Sequence, residues 1–347
     1  METKYWIVDN SVGNLVEYPQ VIEAAELLKG NEVVAFPTET VYGLGGNAEN
    51  DEAVEKIFQA KGRPSDNPLI IHIAQPTQLK DFVESIPNKA SKLMDAFWPG
   101  PLTIIFQKKE GSLSDRATAG LKTVAVRIPD HPVALAVLES CQLPIAAPSA
   151  NTSGKPSPTT GQHVLEDLKG KVCGIVDGGA TGVGVESTVI DCTEDIPVIL
   201  RPGGVTKEQI EAIVGVVKMD EALTDIAKAP KSPGMKYQHY APNAPLFLVK
   251  GSQVFFNQLI EEKRAEGLSV GVLTTEEMVG AYEADVVLAC GRRAHLETVA
   301  SQLYQTLRTF NERQVDIIYS EMFPYTGVGQ AIMNRLEKAA GHRVISE

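Results

Sequence analysis

A pair of cations, Lys61 and Arg63, opens the segment KGRPSDNPLIIHI, between a helix-like stretch and an apolar strand-like run. Cations at the end of a helix stabilise the negative end of its dipole and need no ligand. Alternatively, the two prolines hold a rigid turn that directs both cations at a phosphate or carboxylate, with Asn67 as a neutral donor and acceptor. The residues alone leave both roles open.

Two arginines at strand ends raise the same question. In VAVRIP, residues Val124 and Val126 alternate with Arg127, which places the guanidinium on the opposite face of the strand. A buried guanidinium is costly without an anion, so we expect a partner for Arg127 from the protein or from a ligand. Arg201 ends VILRPGG in a similar position. His72 in LIIHI predicts little, because a lone strand histidine is usually structural.

Two segments of small polar residues accompany these cations. They are APSANTSGKPSPTT at 147–160 and GVGVESTVID at 182–191. Each could be a plain polar loop, or a surface of backbone and hydroxyl groups that a nucleotide approaches closely. The phosphate-loop, zinc-protease, hydrolase and kinase signatures are all missing from the sequence, which disfavours those activities.

Short β-branched runs bounded by Gly, Pro, Ser or Asn predict the strands that position these residues. They are VVAF, LIIHI, LTIIF, VAVRI, PIAA, GIVDGG, STVI and VILR. DEAVEKIFQAKG at 51–62 predicts a helix that ends at Gly62. Some strands are too close together for helical crossovers, so we expect an α+β fold with a mixed sheet over residues 1–215.

The remaining third of the chain predicts a second domain. The stretch KAPKSPGMKYQHYAPNAP has four prolines and no hydrophobic periodicity, which is typical of a linker or an ordered loop. Beyond it, FLV, SVGVLTT, DVVLAC and DIIYSEM alternate with helical patterns, which predicts a small Rossmann-like α/β domain with a parallel sheet. The expected division is 1–215, a linker or lid at 216–245, and 246–347.

The composition excludes several classes of function. With 43% hydrophobic and 22% charged residues and no apolar run long enough to span a bilayer, we expect a cytoplasmic protein without membrane contact. The cysteines are widely spaced, which argues against a zinc knuckle or a disulfide scaffold. A net charge of -12 disfavours broad nucleic-acid binding, so any anion site must be a local group of cations.

Several motifs in fixed order carry a family resemblance. They are FPTETVYGLGGNA, KGRPSDNPLIIHI, WPGPLTIIF, VAVRIPDHP, APSANTSGKPSPT, ESTVID and ILRPGG. Together they resemble the YrdC-like threonylcarbamoyl-AMP synthases. SPGMKYQHYAP and GVGQAIMNRLEKAAGHR are similar to the long form of this family, which has an extra C-terminal domain.

The resemblance implies a twisted mixed sheet with a concave site, and a reaction in which L-threonine, bicarbonate or CO2, and ATP give L-threonylcarbamoyl-AMP and pyrophosphate. This product serves the N6-threonylcarbamoyladenosine modification of tRNA. Mg²⁺ is expected to accompany ATP, without a protein carboxylate cage. Downstream tRNA threonylcarbamoyl-transferase proteins are possible partners, and direct tRNA binding is left open.

The resemblance also assigns residues. The positions matching the family's catalytic residues are Lys61, Arg63, Ser149 and Asn151. Those implied around threonine are Thr40, His72, Arg127 and Ser187. Those implied around ATP are Arg63, Asn67, Thr123, Ser149, Ser157, Arg201 and Tyr237, the last as a lid residue.

Two alternatives use the same residues differently. In an RNA-binding module, the cations would follow a sugar-phosphate backbone, although the acidic total charge and the lack of interleaved aromatic residues count against it. A carbamoyl-transfer domain of the same fold occurs in hydrogenase maturation proteins, but those carry zinc-finger cysteine pairs that this sequence lacks.

Overall fold

The computed structural model describes residues 2–10, 13–223 and 239–347. The chain divides into two compact units. The first runs to residue 236 except for two three-residue stretches, 154–156 and 183–185, which group with the second unit, 237–347. Tyr237 lies outside the described residues.

The first unit is built on a mixed sheet, which confirms the predicted fold class. Its described strands, in chain order, are β1 (Lys4–Ile7), β2 (Val34–Phe36), β3 (Gly43–Asn47), β4 (Ile70–His72), β5 (Leu102–Gln107), β6 (Thr123–Arg127), β7 (Ile145–Ala146), β8 (Gly174–Asp177), β9 (Thr188–Asp191), β10 (Val198–Arg201) and β11 (Lys218–Met219). Their order in the sheet is β1-β8-β2-β3-β7-β4-β6-β5-β9-β10-β11. Parallel pairs such as β4 with β6 adjoin antiparallel pairs such as β5 with β6.

Helices cover this sheet. The described ones are α1 (Pro19–Lys29), α2 (Asp51–Lys61), α3 (Leu79–Phe82), α4 (Asn88–Phe97), α5 (Asp115–Thr118), α6 (Pro132–Cys141), α7 (Gly161–Leu168) and α8 (Lys207–Val214), with 3-10 turns at Leu15–Glu17, Pro76–Gln78 and Glu221–Leu223. Helix α2 begins where the Asn50 side chain accepts a hydrogen bond from the Ala53 amide. It ends as predicted at Gly62, whose φ of 60° is the left-handed conformation that favours glycine.

The two faces of the central strands are buried differently. On β6, Val124 and Val126 join the main core with Ile57 of α2. Ala125 points to the opposite face, where it packs with Ile70 in a small apolar cluster completed by Ile105, Val189 and Leu200. Because side chains alternate along a strand, residues two positions further along share the face of this cluster.

The second unit has a fully parallel five-stranded sheet, as the alternating pattern predicted. Its strands are β12 (Leu246–Lys250), β13 (Val270–Thr274), β14 (Val286–Ala289), β15 (Ile317–Glu321) and β16 (Val344–Ser346), in the order β14-β13-β15-β12-β16. Its helices are α9 (Gln253–Ala265), α10 (Leu296–Arg313) and α11 (Gly329–Ala339), with a 3-10 segment at Glu276–Ala281. Strand β16 was not predicted.

Over the described residues, every helix is too short or too polar to cross a bilayer.

Candidate active site

The polar residues at the ends of the central strands lie on the face of the small apolar cluster. His72 follows Ile70 by two residues, and Arg127 follows Ala125 by two, so both leave the sheet on that face. The parallel register of β4 and β6 sets His72 directly beside Arg127. Thr103 on β5 and Ser187 before β9 continue the row, with their hydroxyl oxygens 2.7 Å apart. The strand pairing therefore gathers four polar side chains from four segments of the chain.

Arg127 is 4% exposed and binds three different groups. Its Nε donates to the Gly100 carbonyl at 3.1 Å, and its Nη1 donates to the Thr40 hydroxyl at 2.8 Å. Its Nη2 lies 2.5 Å from a carboxylate oxygen of Glu39. The anion that the buried guanidinium requires is thus a protein carboxylate. The Thr40 hydroxyl also lies 2.9 Å from that of Thr38, which fixes the loop after β2.

Arg201 is held by Ser187. Its Nε and Nη2 donate to the Ser187 carbonyl at 3.1 and 2.9 Å, and Nη2 also lies 3.1 Å from the Ser187 hydroxyl. This forked contact orients the buried guanidinium through neutral oxygens. The Ser187 hydroxyl therefore lies between Arg201 and Thr103.

His72 is buried and electrically neutral. Burial, followed by the nearby positive charge of Arg127, lowers the pKa of His72 to about 3. Its Nδ1 lies 3.2 Å from the Ile70 carbonyl, so the neutral ring carries its proton on Nδ1 and presents Nε2 as an acceptor. Phe36 packs edge-to-face on the ring. The histidine can accept a hydrogen bond from a hydroxyl or ammonium group.

A second cluster forms around Lys61 in the last turn of α2. Its ammonium group is 2.6 Å from the Asn151 carbonyl and 3.4 Å from the Asn151 amide oxygen, and it also donates to the Ser149 carbonyl. Burial, and then Arg63, lower the pKa of Lys61 well below its usual range, while Asp167 and Glu186 oppose the shift. All three ammonium donors point to the 149–151 segment, so Lys61 shapes that segment.

The hydroxyl groups of the second cluster are also positioned by hydrogen bonds. The Ser149 hydroxyl donates to the Asn151 side-chain oxygen at 2.6 Å. The buried Ser157 hydroxyl donates to Glu186 at 2.6 Å. Since Glu186 precedes Ser187 in the chain, one dipeptide contacts both clusters: Glu186 contacts the Lys61 side, and Ser187 contacts Arg201 and Thr103. The two clusters are therefore neighbours.

Arg63, Asn67 and Thr123 form the third part of the predicted site. The Arg63 guanidinium is 3.4 Å from the carbonyls of Asn67 and Pro68 and so spans the turn that the prolines create. Asn67 is buried and Thr123 is half-buried. Thr123 begins β6 while Arg127 ends it, so the strand separates these two residues by about 13 Å. Thr123 thus lies at the opposite end of β6 from the Arg127 cluster.

Three residues that the sequence analysis did not assign take part in these contacts: Glu39, Thr103 and Glu186. Each lies inside a motif quoted above: Glu39 in FPTETVYGLGGNA, Thr103 in WPGPLTIIF and Glu186 in GVGVESTVID. Two of them could have been found from their place next to a predicted site residue, because Glu39 precedes Thr40 and Glu186 precedes Ser187. Among the described residues, no three His, Cys, Asp or Glu side chains form a group that could hold a metal ion.

Comparisons with known proteins identify the family of the chain. A family model described as "Telomere recombination" (Sua5_yciO_yrdC) matches residues 26–203, and one described as "Threonylcarbamoyl-AMP synthase, C-terminal domain" matches residues 205–341. The threonylcarbamoyl-AMP synthase of Bacillus subtilis is 61% identical over 345 residues, covering 99% of this chain and 100% of the relative. The chain belongs to the threonylcarbamoyl-AMP synthase family.

Other members of the family extend the likeness to structure. The threonylcarbamoyl-AMP synthase of Pyrococcus abyssi is 48% identical, covering 96% of this chain and 98% of the relative. A crystal structure of Pyrococcus abyssi Sua5 complexed with L-threonine matches with a TM-score of 0.92 and 45% identity, covering 99% of this chain and all of that one. The threonylcarbamoyl-AMP synthase fold, with its C-terminal domain, therefore accounts for nearly the whole chain.

Proposed function

We propose that this protein condenses L-threonine, bicarbonate or CO2, and ATP into L-threonylcarbamoyl-AMP and pyrophosphate. The observation that carries the proposal is the pair of polar clusters joined through the dipeptide Glu186–Ser187, inside a chain that belongs to the threonylcarbamoyl-AMP synthase family. One cluster suits a small amino acid, and the other suits a nucleotide. The dipeptide Glu186–Ser187 joins them, so the two substrates would meet there.

The Arg127 cluster supplies what threonine requires. Arg127 offers a cation for the α-carboxylate, neutral His72 offers an acceptor, and the hydroxyls of Thr40 and Ser187 offer further hydrogen bonds. These groups are held by their neighbours before any substrate arrives. His72 and the two hydroxyl groups are therefore preorganised, which lowers the entropy lost on binding.

The nucleotide would bind across the remaining residues. Arg63 and Arg201 are cations suited to phosphate, and small polar side chains allow close approach. The proposed set is Lys61, Arg63, Asn67, Thr123, Ser149, Asn151, Ser157 and Arg201, with Tyr237 as a lid residue. In the described structure Lys61 donates to the 149–151 segment, so its proposed contribution is to hold this segment against the phosphates. Mg²⁺ would arrive on the triphosphate of ATP, held by phosphate and water oxygens.

The chemistry requires positioning and charge stabilisation more than a protein nucleophile. The amine of threonine and bicarbonate give a carbamate with loss of water. A carbamate oxygen then attacks the α-phosphorus of ATP, a new P–O bond forms, and the bond to the β-phosphate oxygen breaks, releasing pyrophosphate. Cations near the α-phosphate would stabilise the charge that builds up on its oxygens. The mixed anhydride product would pass to downstream tRNA threonylcarbamoyl-transferase proteins.

The test is a product analysis. Purified protein is incubated with ATP, Mg²⁺, L-threonine and ¹³C-bicarbonate, and products are identified by mass spectrometry. We expect pyrophosphate and an adenylate that contains threonine and one labelled carbon, with no pyrophosphate when threonine is omitted. Release of ADP and phosphate, or pyrophosphate release that is independent of threonine, would refute the proposal. Salt-sensitive RNA binding without ATP turnover would instead support the RNA-binding alternative.

A further inference from the structure

Glu39 is a carboxylate in contact with Arg127 of the proposed threonine site. Its side chain is 12% exposed and that of Arg127 is 4% exposed, so the two opposite charges meet largely away from water. The nearest atoms, Glu39 Oε2 and Arg127 Nη2, are 2.5 Å apart. Glu39 also precedes Thr40, whose hydroxyl accepts a hydrogen bond from the same guanidinium. A rearrangement of Glu39 would therefore change what Arg127 can bind.

The ion pair leaves hydrogen-bonding groups unsatisfied. Both carboxylate oxygens of Glu39 are buried without a hydrogen-bond partner among the described residues, and the same holds for Nη2 of Arg127. The two groups are in contact, but their geometry is not that of a hydrogen bond. Buried polar atoms are nearly always hydrogen-bonded in native proteins, because an unsatisfied one retains its desolvation cost. Glu39 and Arg127 thus meet as opposite charges, and each has polar atoms that could bind a further group.

An amino-acid zwitterion has the complementary charges. Its α-carboxylate matches Arg127 and its α-ammonium matches Glu39, so exchanging the internal ion pair for two external ones keeps the buried charge balanced. We propose that Glu39 is a threonine-binding residue whose carboxylate binds the α-ammonium group, and that the Glu39–Arg127 ion pair opens when the amino acid enters. This rests on the proposed function, and it adds a residue that selects amino acids over hydroxy acids.

A pair of ligands separates this role from a structural one. L-Threonine carries both charges, whereas 3-hydroxybutanoate is threonine without its amine and carries only the carboxylate. In a Glu39→Gln variant the ammonium loses its counter-ion, so threonine should bind at least about tenfold more weakly. Arg127 loses its internal partner at the same time, so 3-hydroxybutanoate should bind more tightly. A merely structural contribution of Glu39 would weaken both ligands together.

The measurement is calorimetric titration of each ligand into the full-length protein, with and without Mg²⁺ and α,β-methylene-ATP, which cannot transfer its adenylyl group. Glu84→Gln serves as the matched control, because Glu84 is an exposed glutamate beside Gln107, at the far end of β5 from Thr103. It should bind both ligands as the wild type does. Glu39→Asp keeps the charge on a shorter side chain and should recover part of the threonine affinity.

The outcomes are distinct. Weaker threonine binding together with tighter 3-hydroxybutanoate binding supports the inference. Equal losses for both ligands, unchanged threonine affinity, or no threonine binding by the wild type would overturn it. The titrations measure no turnover, so their result is independent of the product analysis. If the wild type is active but Glu39→Gln binds threonine with unchanged affinity, the role of Glu39 is refuted and the proposed function stands.

Discussion

At the scale of single residues, Arg63 separates ligand binding from helix stabilisation. Its guanidinium lies 3.4 Å from the carbonyls of Asn67 and Pro68, and a cation that serves a ligand site contributes little stability to the empty protein. We therefore expect Arg63→Ala to change the free energy of unfolding by no more than about 1 kcal/mol, and to lower kcat/KM for ATP at least about 100-fold. Urea unfolding and pyrophosphate-release kinetics measure the two effects.

Arg116→Ala is the control for this substitution, because Arg116 is half exposed and forms a surface ion pair with Glu55. It should leave both quantities nearly unchanged. A large loss of stability in Arg63→Ala, with normal ATP kinetics in the folded fraction, would instead show that Arg63 stabilises the end of α2 and the turn that follows it.

His72 gives a pH-dependent prediction. Its pKa is about 3 in the folded protein and 6.5 as the ordinary value, so between these pH values the unfolded state binds more protons than the folded state. Stability therefore decreases as the pH falls through this window. From pH 7 to pH 4.5, the wild type should lose about 2–3 kcal/mol more stability than His72→Gln, which has no titrating ring.

Urea unfolding of both proteins at several pH values between 7 and 4.5 measures this difference. Parallel curves for the wild type and His72→Gln would mean that the pKa of His72 in the folded protein is close to its ordinary value. The ring would then become charged as the pH falls below about 6.5, which contradicts the buried neutral acceptor of the proposed threonine site.

The sequence predicted the cations better than it predicted their partners. Arg127 was expected to need an anion, because strand alternation alone buries its guanidinium. The identity of that anion depends on where the loop after β2 lies relative to the end of β6, which brings Glu39 to Arg127 across 88 positions of the chain. Likewise, Ser157 meets Glu186 only because two distant segments converge. Such contacts between distant segments have no local sequence signal.

At the scale of elements, strand β3 tests why small residues surround the site. Its sequence, GLGGN, has low strand propensity and was not predicted as a strand. The structure places it between β2 and β7, where a Cβ on Gly45 would lie 2.6 Å from the Phe36 ring and 2.9 Å from Ile145. The close approach of the neighbouring side chains, rather than propensity, determines the residue there.

We therefore expect Gly45→Ala to destabilise the protein by about 1–3 kcal/mol through overpacking. Gly182→Ala is the control, since a Cβ at that position has no atom within 4 Å, and it should change stability by less than about 0.5 kcal/mol. Thermal and urea unfolding measure both. An unchanged stability for Gly45→Ala would mean that Phe36 moves aside at little cost, and that β3 does not need its glycine there.

The strands that escaped prediction are mostly at sheet edges. Lys4–Ile7 and Lys218–Met219 are the two edges of the large sheet, and Val344–Ser346 is an edge of the small one. Each has a single neighbouring strand, and two of the three contain only two or three residues. Short edge strands carry little hydrophobic alternation, so the sequence pattern is weak. The central strands, which are largely buried, lie in the β-branched runs that predicted them with approximate bounds.

At the scale of the whole molecule, the acidic charge makes the site selective. A net charge of -12 repels polyanions at long range, so cations confined to one buried face can hold a small phosphate compound without making the surface attractive to nucleic acid. The carboxylates Glu39 and Glu186 lie within the same face, which limits its local excess of positive charge. The composition predicts this property of the surface, and the fold determines where the cations lie.

The central claim is that the Arg127 and Lys61 clusters are two halves of one site. A crystal structure with L-threonine, Mg²⁺ and α,β-methylene-ATP tests it most directly. The account predicts threonine against Arg127 and Ser187, the nucleotide along Arg63, Asn67 and Thr123, and the α-phosphate near Arg201. The threonine amine and the α-phosphate should then be close enough for one carboxyl group to join them. A nucleotide bound elsewhere, or threonine placed too far from the α-phosphate for that bridge, would contradict the account.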